Sequence, residues 1–233
     1  MGKMPFSTLF IDQWTRLPPA LQADLSGKSV MVTGANVGIG YETAKHFASL
    51  QPKRLVLACR DEKKGRDAIV AIEKETGYEG IELGILDQSK FSSVLEFARR
   101  FGDEPLDVLV ANAGVLPQKF ETTEDGWETA LQVNHLSTAL LSFLLIPTLV
   151  RTARSHNHNL TETTDGTAGK DPTFSRLVIV SSDVHFWTSF AKEQYQAEAG
   201  LLKTLNGQTD GHIAKRYFDS KCTFTPTEQP FPH

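Results

Sequence analysis

The chain has 233 residues, 40% of them apolar and 22% charged, with a formal net charge of -4. That length accommodates one α/β domain with a substantial core, and the lack of a basic excess argues against nucleic acid or an anionic membrane as the main partner. Two cysteines, Cys59 and Cys222, are too few for a disulfide framework and match no zinc spacing. A reducing, cytoplasmic setting is therefore expected, with peripheral membrane contact left open.

Residues 1–28 read as an N-terminal extension, polar and aromatic (Phe10, Trp14, Pro18, Pro19), without the apolar core and cleavage site of a secretory signal. Its Met-Gly start has Phe6 where myristoylation requires Ser or Thr. Residues 29–33 form the first buried strand, followed by a glycine turn and a helix over about 39–50, with Ala44, Phe47 and Ala48 on its inner face. The second strand covers 55–59, and a charged helix runs on through Lys74. The third covers 81–86, with a helix through Arg100. The fourth covers 106–110, with a long helix over about 124–149, and the fifth covers 177–180. Apolar strands alternating with helices predict an α/β fold, a doubly wound parallel sheet of Rossmann type extending over residues 29–225.

Two polar stretches interrupt this rhythm. Residues 152–175 read as a mobile surface insertion, and 184–216 as a lid or substrate-side excursion; 226–233 read as a disordered tail. The most apolar segment, 139–150, is too short to span a bilayer and contains Pro147, so no transmembrane segment is expected. The Asn159-Leu160-Thr161 sequon has no meaning without secretion.

The turn after the first strand is Thr33-Gly34-Ala35-Asn36-Val37-Gly38-Ile39-Gly40. Gly34 permits a tight exit from the strand, Gly38 lets the backbone approach a pyrophosphate, and Gly40 lets the helix pack closely on the sheet. Free NH groups and the dipole at the helix start favour the anion. In a strand-turn-helix setting this pattern points to a dinucleotide rather than to a merely tight turn. A 2′-hydroxyl is read by an acid at the end of the second strand, whereas a 2′-phosphate needs a cation. Here Cys59 and Arg60 close the strand, so NADP(H) is favoured over NAD(H); a solvated Arg60 beside Asp61 is the alternative.

Further landmarks are Leu86-Asp87 after the third strand, Asn112-Ala113-Gly114 after the fourth, Asn134 within Val133-Asn134-His135-Leu136, Ser181-Ser182 after the fifth, and Tyr217-x-x-x-Lys221. In this order, with the glycine loop, they resemble the short-chain dehydrogenase/reductase family over residues 29–221. Residues 57–61 and 125–135 are similar to its retinol-dehydrogenase-like branch and fungal relatives. The resemblance implies an oxidoreductase that interconverts a small-molecule carbonyl and an alcohol by hydride transfer. It also implies that Asn134, Ser182, Tyr217 and Lys221 are catalytic. Tyr217 would exchange a proton with the substrate oxygen, for which a free phenol with a pKa of ~10 is a poor base at neutral pH. Lys221, one helical turn on, would favour the phenolate and bond the nicotinamide ribose. Ser182 would hold the substrate oxygen, and Asn134 a water linking Lys221 to solvent.

Asn112, Ala113 and Gly114 would shape the floor under the riboses and Asp87 would contact the adenine, with a turn-only or strand-end role as the alternative. Tyr41 and Lys45 fit the same Tyr/Lys spacing, but Tyr41 lies on the helix behind the glycine loop, whereas Tyr217 follows the fifth strand and its serine. Tyr217 is the better candidate. His156, His158 and His185 lack partner ligands and read as surface or lid residues, so no metal is expected. Trp14, Trp127 and Trp187 read as packing residues, with Trp187 able to border the substrate.

Family members continue past the Tyr/Lys helix into a sixth strand, a substrate-covering segment and a seventh strand. Residues 222–233 hold three prolines and no apolar strand. The C-terminal strands are accordingly expected to be missing, with residues 177–180 left as an apolar edge, the family dimer surface incomplete, and turnover impaired. A non-catalytic dinucleotide-binding protein is the rival function, and a homo-oligomer is an allowed assembly.

Overall fold

The computed structural model describes residues 22–161, 173–187, 200–207 and 213–222, with Trp14 and Ala20. Most of the expected N-terminal extension, the 226–233 tail, and much of both polar stretches lie outside the described residues. Five parallel strands, β1 (Ser29–Thr33), β2 (Arg54–Cys59), β3 (Ile81–Ile85), β4 (Val108–Ala111) and β5 (Arg176–Ile179), form one sheet in the order β3-β2-β1-β4-β5. The helices are α1 (Gly38–Ser49), α2 (Glu62–Thr76), α3 (Phe91–Phe101), α4 (Thr129–Leu131), α5 (Ser137–Thr161), α6 (Leu201–Asn206) and α7 (Ile213–Cys222), with a π-helical turn, Gln132–Leu136, joining α4 to α5.

The central strands are apolar between their ends, over 30–32 of β1, 55–59 of β2 and all of β4, because both of their faces are covered. Val30 and Val32 of β1, with Leu55, Leu57 and Cys59 of β2, pack on Ala44 and Ala48 of α1 and Ala68 and Ile72 of α2. Met31, Val56, Ala58 and Leu109 point the other way, onto Val94, Phe97 and Phe101 of α3 and Leu141, Leu145 and Leu149 of α5. Register puts Val32 beside Leu57 and Val110, so each layer is continuous across the sheet. By composition the helix Thr129–Asn157 is long and apolar enough to cross a membrane, but half of its apolar window is buried within the protein.

The helix expected over 124–149 begins at Thr129, because the Glu128 carboxylate caps the Ala130 and Leu131 NH groups at 3.0 and 2.8 Å. It also runs on to Thr161, through the first ten residues of the stretch expected as a surface insertion. The polar residues there have partners that the sequence does not announce. Thr152 is buried, its hydroxyl accepting from Leu106 N at 3.0 Å and donating to Thr148 O at 2.9 Å. His156 lies 2.8 Å from the buried Asp107 carboxylate, which also takes Ser29 N at 2.9 Å and Lys28 Nζ at 3.1 Å. His156 is thus a strand-end partner rather than a surface histidine, and His185 is buried as well, 7% exposed. Trp14 is 89% exposed, against the expected packing role, and Trp127 is half-buried.

On the far edge, β5 pairs with β4 alone among the described residues, and Val178 is 43% exposed. The excursion after β5 contains α6, which docks through Asn206: its Oδ1 accepts from Glu128 N at 2.6 Å and its Nδ2 donates to Gly126 O at 3.0 Å.

Candidate active site

Parallel strands end together, so the loops after β1, β2, β3, β4 and β5 gather at one edge of the sheet, where ligands of such folds bind. There they line a cleft of about 680 Å³ that also receives Tyr217 and Lys221 from α7. Of the residues singled out from the sequence, Gly34, Asn36, Ile39, Gly40, Arg60, Asp87, Asn112, Ala113, Gly114, Ser182, Tyr217 and Lys221 face this cleft. Thr33, Gly38 and Asn134 are not among its lining residues.

The glycine loop is built by close approach. The Thr33 hydroxyl accepts from Asn112 N at 3.0 Å and Ala113 N at 2.9 Å, and Asn112 Nδ2 donates to Thr33 O at 2.9 Å, which laces the end of β1 to the end of β4. A Cβ on Gly40 would overlap Asn112 Nδ2 and Gly34 O, and one on Gly34 would lie 2.9 Å from Ala113 Cα. Gly38 has open space around it but a φ of +60°, so it is required by conformation rather than by room. No side chain caps α1 at Val37 and no acid lies in its first turn, which leaves its leading NH groups for an anion.

Beyond β2, exposed Arg60 and Lys64 both line the cleft, and neither has an ion pair or side-chain hydrogen bond among the described residues. Their neighbours on α2 are matched, Lys63 with Asp67 at 2.9 Å and Arg66 with Glu62 at 2.7 Å. The Asp61 carboxylate turns away to cap α2, accepting from Lys64 N at 2.9 Å. Lys64 escaped the sequence reading, although its spacing of four from Arg60 and the apolar Ala68 four residues on were legible signals. Asp87 lines the cleft while its Oδ1 accepts from Ser89 N and Ser89 Oγ, a strand-end turn at the cleft wall.

At the other end, Lys221 is 5% exposed; its Nζ donates to Val180 O at 3.0 Å and lies 5.9 Å from the Tyr217 ring centre. Burial pushes its ammonium below the ordinary lysine value. The Tyr41/Lys45 pair is differently placed. Tyr41 donates to Glu75 at 3.3 Å, Lys45 pairs with Glu42 and Glu75 at 2.7 and 3.2 Å, and neither lines the cleft. Burial first, then Glu75, raises the Tyr41 phenol, the wrong direction for a base.

Asn134 lies on the π-helical turn and is buried. Its Nδ2 donates to Val115 O and to Ser220 Oγ, both at 2.9 Å, and its Oδ1 accepts from Val115 N at 2.7 Å. Both protons of the carboxamide nitrogen are thus engaged by protein partners, so the side chain clamps the loop after β4 to α7. A π-turn at this point re-aims a side chain that a regular helix would carry elsewhere.

The family model described as short chain dehydrogenase matches residues 28–157, more than half of the 233. The chain is 34% identical over 215 residues to short chain dehydrogenase sol3 of Alternaria solani, covering 91% of this chain and 69% of that protein. It is 35% identical over 217 residues to short chain dehydrogenase atnD of Emericella nidulans, covering 92% and 63%. A solved short chain dehydrogenase of Shigella flexneri, complexed with NADP, is 25% identical with a TM-score of 0.53, over 86% of this chain and 69% of that one. Among eight curated relatives the chain spans between 38% and 69% of the other protein's length, less than two thirds in all but one. Fold, cleft and relatives agree, and the chain belongs to the short-chain dehydrogenase family.

Proposed function

We propose that this chain is an NADP(H)-dependent oxidoreductase interconverting a small-molecule carbonyl and an alcohol, with residues 29–225 as its dinucleotide-binding unit. One observation carries the reading: a single cleft brings the glycine cradle and two cations that have no ion pair among the described residues to Ser182, Tyr217 and Lys221. The residues suit the cofactor. An uncapped helix start and the open space at Gly38, where a Cβ would meet nothing within 4 Å, suit a pyrophosphate, and Arg60 with Lys64 suits a 2′-phosphate. The NADP complex of the Shigella flexneri relative supports the same choice.

When bound, NADP(H) supplies or accepts the hydride. The chain's own residues handle the oxygen. The Tyr217 hydroxyl gives its proton to the carbonyl oxygen in reduction and takes it back in oxidation, while the Ser182 hydroxyl holds that oxygen in place. Lys221 sets a positive charge close to the phenol inside low-dielectric surroundings, where it acts more strongly than in water. Asn134 holds the floor of the cleft against α7.

Titration of NADPH and NADH fluorescence, followed by assay against a panel of aldehydes and ketones, tests the proposal. Expected are saturable binding with NADPH preferred, turnover of at least one carbonyl, and a loss on the order of 10²- to 10⁴-fold in kcat for Tyr217→Phe at an NADPH Kd within twofold of wild type. Arg60→Ala should weaken NADPH but not NADH by about 10- to 100-fold, the worth of a charge-assisted hydrogen bond. Saturable NADPH binding without turnover of any carbonyl would replace the enzyme with a non-catalytic dinucleotide-binding protein.

A further inference from the structure

Ten residues make α7 too short to persist by itself, so its orientation is set by what it is tied to. Its C-terminal end is held where Lys221 Nζ donates to Val180 O at 3.0 Å and Ser181 Oγ donates to Lys221 O at 3.2 Å. A different tie reaches the middle of the helix: Asn134 Nδ2 donates to Ser220 Oγ at 2.9 Å, and Ser220 Oγ donates on to Tyr217 O at 2.8 Å. Asn134 in turn brackets both backbone groups of Val115. A Cβ on neighbouring Gly114 would lie 3.2 Å from Asn134 Oδ1 and 3.3 Å from Lys221 Nζ, closer than ordinary contact, so both groups crowd the Gly114 backbone.

We infer that Ser220 is a positioning residue for the Tyr217 hydroxyl: its buried Oγ, held by Asn134 and bonded to Tyr217 O, fixes the rotation of α7 against the loop carrying Gly114 and Val115. The inference rests on the function proposed above. Residues 217, 220 and 221 stand at i, i+3 and i+4, one face of the helix, so whatever holds Ser220 holds the other two. Ser220 is 1% exposed, and its hydroxyl both accepts and donates, so its burial leaves no polar group wanting. The lever arm gives the tie its importance. A side-chain tip roughly 6 Å from a helix axis moves about 1 Å for a rotation of roughly 10°, and a misplacement of about 1 Å can lower a rate by on the order of 10²-fold.

Two measurements on the full chain test this in Ser220→Ala and in Ser220→Thr, which keeps the hydroxyl. The first is amide hydrogen exchange, which needs no turnover. In S220A, peptides covering 213–222 should exchange at least about tenfold faster, with β1 and β4 unchanged; S220T should stay close to wild type. The second is carbonyl reduction, where S220A should lose roughly 10- to 100-fold in kcat with the NADPH Kd within twofold, and S220T should recover most of it. Unchanged exchange in S220A overturns the inference, as does acceleration spread equally over all strands, which would mark a general loss of stability. Unchanged kcat in S220A beside an active wild type also overturns it. A wild type that binds NADPH and reduces nothing defeats the functional reading, and the exchange result then decides this one alone. If S220T fails to fold, S220A decides through its own two readings.

Discussion

Cys59 sits one residue from the cation proposed to take a phosphate, yet its side chain turns into the α1/α2 layer and is 1% exposed. Burial pushes its thiol from 9.0 up to about 11, against a smaller opposing effect of the Ala35 backbone hydrogen bond. The folded chain therefore keeps a proton that the unfolded chain releases above about pH 9. The sign follows directly: Cys59 contributes stability that is fully present below about pH 9 and is lost as pH rises towards about 11. The lowered value of Lys221 works the opposite way, adding stability as pH rises, so a whole-protein curve would mix the two. A comparison of wild type with Cys59→Ala isolates the thiol. Urea unfolding at pH 8.5 and 10.5 should show the stability advantage of wild type shrinking by on the order of 2 kcal/mol. Parallel pH curves for the two proteins would contradict the burial account. Placement at the cleft was legible from local pattern in the glycine loop and from chain order for Tyr217, which lines the cleft where Tyr41 does not. Ser220 stayed hidden because what it touches, Asn134, lies 86 residues away in the chain.

The elements were read well where one strand is buried on both faces, since β1 and β2 then appear as unbroken apolar runs with sharp ends. Polar residues mark the places where the reading failed. Thr152 and His156 looked like the start of a surface insertion, but Thr152 hydrogen-bonds Leu106 N and His156 lies at ion-pair distance from Asp107, both just before β4 and some fifty residues earlier in the chain. A sequence shows that a residue is polar and not that a distant strand end needs it. Asp107 is the hub of this arrangement, joining Lys28, Ser29 and His156 around a side chain 3% exposed. Asp107→Asn keeps the shape but removes the charge that Lys28 faces, and an amide nitrogen must replace one accepting oxygen. Loss of about 3 kcal/mol is expected, the scale for breaking a buried charged pair from one side. Chemical denaturation reads the loss, and hydrogen exchange should place it first at the N-terminal ends of β1 and β4. A change below about 0.5 kcal/mol would show that the cluster is held by packing alone.

At the scale of the whole molecule, the sheet order leaves β5 with one hydrogen-bonded neighbour among the described residues, and its Val178 is 43% exposed. Among the described residues, such a strand offers backbone groups without a ladder partner beside an apolar side chain, the combination that promotes edge-to-edge association. The end of the strand that leads to the cleft is secured separately, by Val180 N donating to Ala111 O at 3.0 Å and by Lys221 Nζ donating to Val180 O. Edge exposure and site geometry can therefore be changed one at a time. Val178→Lys places a charge on the edge, four residues before Ser182, without touching those bonds. Light scattering should show less self-association over a concentration series, while the NADPH Kd stays within about twofold, since an exposed substitution away from a site usually moves stability by no more than about 0.5 kcal/mol. Persistent association in this variant would move its cause off β5. Lost NADPH binding would instead mean that edge and cleft are mechanically one, and that the ties at Val180 do not shield the site from its own sheet.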